Sequence, residues 1–433
     1  MTSDRRPPAR LVARFRGTWL SSGVPRDLFA AQLVSAVASL AVNVMSARGM
    51  GPAGRGVLAF FLQLIYVGSA VCMLGADRAL PAVHRDPPTL RTAEGEILRL
   101  AVPAGIVTSA AVLAWVVWSA GDGRLDPWSG PSALAFALAL WGNICLLALR
   151  AAAITAQQTS RFLAIMIAGQ VSLVLGALVL FLLSVRAPEV WLALYGGAFV
   201  IPAAVALAAR RPARPDQPRS ALRVARRLGL RLTPMVLANM VMLRSDRIIL
   251  PLLGDVSQLG FYIVVATITE LLWWPVQNYV DARIPPWRAR LARGDLSVGE
   301  AFLVVGAYAG GAAVLVAVAL HVLLVPVFGS QYGESRSLIW PLAVAAGLYA
   351  VSRVGAAVCI AANRAGSANL IDLAGMVVAV PAYLLLIPEG GASGAARGTL
   401  LAYGAAALVS AAVSWRVAGR LRAAGFPAGG TPR

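Results

Sequence analysis

The stretch RSDRIILPLLGD, residues 244–255, sets Arg244, Asp246 and Arg247 inside a run that otherwise suits a bilayer. LTPMVLANMVML precedes it and IILPLL follows the charges, so segment 232–253 is apolar on both sides of them. As a helix that segment extends about 33 Å, which puts Arg244 just beyond its midpoint. Charge at that depth is strongly unfavourable against lipid. Arg244 and Arg247, three residues apart, share a helix face, and Asp246 is rotated well away from Arg244. The two arginines must therefore face the interior of a helical assembly.

The rest of the chain supports that setting. Of 433 residues 59% are hydrophobic, and the mean hydropathy is +0.74. A water-soluble chain of this length has no core large enough for so much apolar surface. Charged residues make up only 13% and fall between the apolar runs, the pattern of a multi-pass membrane protein. All 38 basic residues are arginine, a bias that points to a high-GC bacterial genome. The net charge of +19 does not imply nucleic acid, because the arginines occupy short links between apolar runs. With no lysine the chain has no phosphate loop of the G-x-x-x-x-G-K-[ST] type. Cys72, Cys145 and Cys359 lie within apolar runs at no ligand spacing, so neither a metal nor a cofactor is expected.

Apolar runs lie near 28–46, 56–75, 97–119, 132–149, 162–185 and 191–209, then near 232–253, 259–280, 301–328, 338–362, 368–387 and 399–416. Twelve spans alternate the links between two sides, which sorts the arginines 29 to 6, with Arg244, Arg247 and Arg353 inside spans. The positive-inside rule then puts both termini in the cytoplasm and the protein in the plasma membrane. The expected organisation is a basic cytoplasmic N-terminus (1–27), a six-helix bundle (28–209), a basic linker (210–231), a second six-helix bundle (232–416) and a cytoplasmic tail (417–433). Within the linker, SALRVARRLGL reads as a topogenic loop or a basic amphipathic helix on the inner leaflet.

The two bundles echo one another. Each opens with two runs joined by a glycine-containing turn, ARGMGPAGRGVLAFFLQLI in the first and LPLLGDVSQLGFYIVVATI in the second. Gly51 aligns with Gly254 and, after a one-residue slip, Gly56 with Gly260. An even number of spans per half predicts a pseudo-two-fold axis along the membrane normal, with a cavity between the bundles.

SARGMGPAGRGVLAF (46–60) resembles the AR-x-LGP-x-x-x-G turn of polysaccharide repeat-unit flippases, in the multidrug/oligosaccharidyl-lipid/polysaccharide exporter superfamily. The likeness continues through RSDRIILPLLGDVSQLGFYIVVATITELLWWPVQ (244–277), VFGSQYGESRSLIWPLAVAAGLYAVSRVGAAVCIAANRAGSANLI (327–371) and LIPEGGASGAARGTLLAYGAAA (386–407), covering roughly 28–415. GPAGRG departs from the acidic residue and tyrosine common in that first turn. The resemblance implies an all-α fold of twelve helices in two bundles around a central, often cationic cavity. It also implies alternating-access transfer of polyprenyl-diphosphate-linked oligosaccharide between leaflets for cell-surface polysaccharide assembly.

Substrate chemistry assigns the candidate residues. Sugar hydroxyls and a diphosphate are costly to place unpaired in hydrocarbon, so a flippase needs a wet, positively charged pocket. Arg244, Arg247, Arg353 and Arg48 are the candidate cationic, substrate-binding residues. Asp246, Glu270 and Asp372 are candidates for charge pairing or for a coupling Na⁺ or H⁺; Arg353 and Asp372, on successive spans, can reach each other. Pairing of Arg244 or Arg247 with Asp246 or Glu270 to pin helices together stays open as a purely structural alternative. Arg48 and Arg55 flank the first turn, where they either receive a diphosphate or snorkel to the interface.

The expected partners are the lipid-linked oligosaccharide, membrane lipids and, as candidates, a polysaccharide polymerase or glycosyltransferases. The alternative function is a cation-coupled exporter of drugs or other small molecules from the same superfamily, which calls for a cavity dominated by acids. No enzymatic activity is expected, since the first loop of the Arg-poor side has no Asp or Glu and no clear loop of that side is long.

Overall fold

The structure, a computed structural model, describes residues 26–73, 75–84, 88–121, 130–208 and 219–423. Expectations for the basic N-terminus before residue 26, the loop at 122–129, the Pro-rich part of the linker and the tail beyond 423 lie outside the described residues. Those residues form α-helices, one long 3₁₀ segment and short turns, with no strand among them. The first half holds α1 (Arg26–Met73), α2 (Ala76–Val83), α3 (Leu90–Gly121), α4 (Gly130–Thr155), α5 (Ser160–Leu182) and α6 (Pro188–Ala208). The second holds α7 (Arg219–Leu253), α8 (Val256–Glu270), α9 (Trp273–Ala292), α10 (Val298–Phe328), a 3₁₀ helix (Ser330–Leu338), α11 (Ile339–Ala361) and α12 (Ala365–Ala423).

A helix lies on each of the twelve expected apolar runs, and among the described residues seven continuous stretches are long and apolar enough to cross a membrane. α1 and α12 each carry two runs, bent at Gly51 (φ 73°) and Gly391 (φ 52°). Gly51 is followed by Pro52, so a left-handed residue and a missing amide donor together turn the chain. Helix α10 shows how sequence sets placement. It starts on a Ser297 cap whose side chain accepts from the Glu300 amide, with Glu300 in the first turn as a capping box requires. One stripe, Ala301, Val305, Ala309, Ala313, Ala317 and Leu324, is buried. Leu303, Leu315, Val318 and Val322 on the other faces are exposed. Such a surface suits lipid tails, and the small residues of the stripe let α11 approach closely. α11, by contrast, is buried on nearly every side.

Buried apolar side chains form two cores, one from α1 to α6 with Ala225, the other centred on α8 to α12. Ala47 and Ala59 of α1 belong to the second core, so α1 ties the halves together. Part of the expected linker is helical. From Arg219 onward it is the start of α7, continuous with segment 232–253, and it packs against α2 of the first half. The Pro-rich stretch ends at Pro218, and the Arg-, Ala- and Leu-rich residues after it favour helix. Likewise the start of the expected tail, 417–423, continues α12.

The aligned glycines meet in space. A Cβ on Gly56 would lie 1.9 Å from the Val256 carbonyl oxygen, and one on Gly260 would lie 1.9 Å from that of Pro52. This reciprocal contact, in which each repeat-related glycine receives the other half's backbone, joins the halves on the face that carries the Gly51 turn. Gly56→Ala or Gly260→Ala should therefore cost about 1–3 kcal/mol by overpacking backbone on backbone. Gly310→Ala, with open space at its Cβ, should not destabilise; thermal unfolding of the three variants in detergent checks the difference.

Candidate functional site

α8 ends at Glu270 and α9 begins at Trp273; between them the Leu271 and Leu272 amides bond three residues back, a 3₁₀ tightening inside one apolar stretch. Pro275 lies in the first turn of α9, where it disfavours helical geometry just before itself. The face shared by Arg244 and Arg247 on α7 meets that junction. Arg247 Nη2 donates to Glu270, and Arg244 Nη1 lies 3.4 Å from Glu270 Oε1. One carboxylate thus holds two guanidinium groups.

The two arginines have different surroundings. The Arg247 side chain is 4% exposed, whereas those of Arg244 and Glu270 are 21% and 18% exposed. Arg244 sits 5.9 Å from the ring centroid of Tyr66, a residue of the first half that is itself 39% exposed. A guanidinium and a ring from opposite halves, each partly exposed, thus meet where the bundles face one another. Arg247 lies deeper in the second half. Its Nε is 3.8 Å from Asp246 Oδ2, which accepts a hydrogen bond from the Tyr262 hydroxyl at 2.5 Å. Thr399 continues the hydroxyl chain at 3.0 Å from both Tyr262 and Tyr383. Asp246 is therefore held inside the second half by hydroxyl groups that sequence spacing did not reveal.

Arg353 and Asp372 form an ion pair, with the Arg353 guanidinium 4.6 Å from the Tyr349 ring centroid and Nε bonded to Ser352. Neither residue contacts Arg244. Arg48 also lies apart from that group. It is exposed and donates from Nε to the Val327 carbonyl at 2.7 Å and from Nη2 to that of Pro326, capping free carbonyls in the last turn of α10. Tyr332 donates its hydroxyl to the Ala47 carbonyl beside it at 3.1 Å. Arg48 thus fastens the two halves on the Gly51 face.

Arg55 departs from the expectation that it flanks the turn at the surface. It is buried, and its Nε and Nη2 both donate to Asn43 Oδ1, at 3.0 and 2.8 Å, across the Gly51 bend. Folding α1 back at Gly51 turns Arg55 inward. On the same face Asp255 caps α8, and hydrogen bonds from Ser257 hold its carboxyl below the usual range. Arg244, Arg247 and Arg353 each have a carboxylate partner, the pairing that the sequence left open beside a free cationic pocket.

No family model matches the chain, and no curated protein sequence does. Solved structures do resemble it. An inward-facing multidrug resistance MATE family transporter of the MOP superfamily aligns at a TM-score of 0.68 and 16% identity, over 89% of this chain and 95% of that one. The lipid II flippase MurJ in an inward closed conformation gives 0.65 and 10%, over 92% and 90%. An outward-facing MATE transporter gives 0.58 and 14%, over 92% and 94%. The fold defines an all-helical, multi-pass membrane protein with the architecture shared by these MOP superfamily proteins.

Removing one member of the Arg353–Asp372 pair leaves a charge uncompensated in the second core. Asp372→Asn or Arg353→Met should each cost about 3–5 kcal/mol, while Arg353→Met combined with Asp372→Leu should be close to neutral. Chemical or thermal unfolding of the full chain, run as a double-mutant cycle, checks this.

Proposed function

We propose that this protein is a flippase carrying polyprenyl-diphosphate-linked oligosaccharide between leaflets by alternating access, in the assembly of a cell-surface polysaccharide. The observation that supports this reading best is Arg244: a partly exposed guanidinium at membrane depth, beside Tyr66 of the other half and held by a carboxylate that an incoming anion can replace. A diphosphate offers the same oxygen geometry as Glu270 with more charge, so it competes for Arg244 first and for Arg247 behind it. Protonation of Glu270 would release the same two arginines, which gives a route for coupling to H⁺; Asp246 and Asp372 are the further coupling candidates. The 29-to-6 arginine distribution supports assigning the Gly51 face to the outside and both termini to the cytoplasm. On that assignment the Arg48 latch and the Gly56–Gly260 contact close the outer side, in keeping with the likeness to an inward-facing relative.

A second reading, export of an organic cation, draws support from the carboxylate matched to each membrane-embedded arginine. Proteoliposome assays separate the two. In the flippase reading, wild-type protein moves a fluorescent undecaprenyl-diphosphate-linked sugar. Arg244→Ala and Arg247→Ala should lower that rate about tenfold or more at equal expression, as loss of a charged hydrogen bond to phosphate would. Unchanged flipping in both variants removes these residues from the site, and ethidium transport without sugar-lipid transport establishes the exporter instead.

A further inference from the structure

Past the junction at Glu270, the first turns of α9 carry WWPVQNYVDAR, residues 273–283. Trp273, Gln277 and Asp281 recur every fourth residue and so share one face of that helix. The Trp273 ring meets Tyr349 of α11 edge to face, with centroids 5.1 Å apart, and Tyr349 lies 5.0 Å from Tyr403 of α12. Gln277 Nε2 donates to Asp281 Oδ1 at 2.9 Å, and both groups are exposed at that contact. Arg353, one turn along from Tyr349, is near enough to Asp281 to act on its charge. Next to this face, Asn278 reaches across to Gln32 of the first half at 3.1 Å, so the strip lies where the bundles face one another.

The chemistry of this strip differs from that around Glu270. It offers ring surface beside an amide, a carboxylate and a guanidinium, with acceptor and donor roles mixed and little net charge. Fully anionic ligands gain little there. A neutral ligand with C–H faces and many vicinal hydroxyls gains both stacking on the ring and paired hydrogen bonds to planar side chains.

We propose that Trp273, Gln277 and Asp281 form a carbohydrate subsite, separate from the Arg244–Glu270 group, that seats the first sugars of the substrate headgroup. The proposal rests on the flippase reading and fixes how the substrate lies: diphosphate at the α8–α9 junction, sugars along α9 away from the Gly51 face. Trp273 supplies the stacking surface, and Gln277 with Asp281 supplies the hydroxyl contacts.

The test compares two probes on purified full-length protein: undecaprenyl diphosphate, and the same lipid bearing one N-acetylglucosamine. Wild-type protein should bind the sugar-bearing lipid about tenfold more tightly, the scale of one good ring contact with its hydrogen bonds. Trp273→Leu and, with a change only at an exposed side chain, Asp281→Asn should erase that preference while bare-lipid affinity stays within about twofold. Arg244→Ala should weaken both lipids and keep their ratio. Equal wild-type affinities, or a preference that survives both α9 substitutions, overturns the subsite. Failure of wild-type protein to bind either lipid overturns the flippase reading itself.

Discussion

One carboxylate shared by two guanidinium groups governs this structure. Glu270 stands at the end of α8, where Leu271 and Leu272 keep helical backbone angles and bond three residues back before α9 begins. From there its carboxylate reaches both Arg244 and Arg247 on α7. Without that partner Arg244 would remain unpaired at membrane depth and Arg247 would keep only Asp246, a strongly destabilising change. The arrangement is stable because it is paired, and available for chemistry because Arg244 remains accessible.

Around that centre the second half is built as nested layers. α11 is enclosed on nearly all sides and carries Arg353, while α10 shields it with a small-residue stripe inward and leucines and valines outward. Tyr262 of α8 donates its hydroxyl to the buried Asp246, and Thr399 and Tyr383 of α12 extend that hydroxyl chain. The first half contributes less charge to the interface but supplies its closure, through α1: Gly56 against α8, Arg48 against the end of α10, and Tyr66 over Arg244.

Much of this was legible from residue order, and what was not has physical reasons. Charge at the centre of an apolar run marked Arg244, Arg247, Glu270 and Arg353, because bilayers leave few other places for such groups. The alignment of Gly56 with Gly260 was readable, but their mutual contact was not, since an internal repeat shows equivalence and not adjacency. Arg55 next to a turn reads as a rim residue until the fold of α1 at Gly51 turns it toward Asn43. The bends in α1 and α12 sit at left-handed glycines, one of them followed by proline. The Tyr262–Thr399 link joins residues 137 positions apart and leaves no local signal. Sequence offered the partners, Glu270 or Asp246 for Arg244 and Arg247 and Asp372 for Arg353, but only geometry shows one carboxylate shared by two guanidinium groups.

The account stands on Arg244 being accessible between the halves while Arg247 is buried deeper. In a variant with Cys72, Cys145 and Cys359 replaced by Ala, a single cysteine at 244 or 247 can be treated with a membrane-impermeant thiosulfonate in oriented vesicles. The cysteine at 244 should react from one side of the membrane, and undecaprenyl diphosphate should slow it, whereas the one at 247 should stay unreactive. A cysteine at 244 that resists reagent from both sides, or one at 247 that reacts as fast, would contradict an accessible anion site between the two halves.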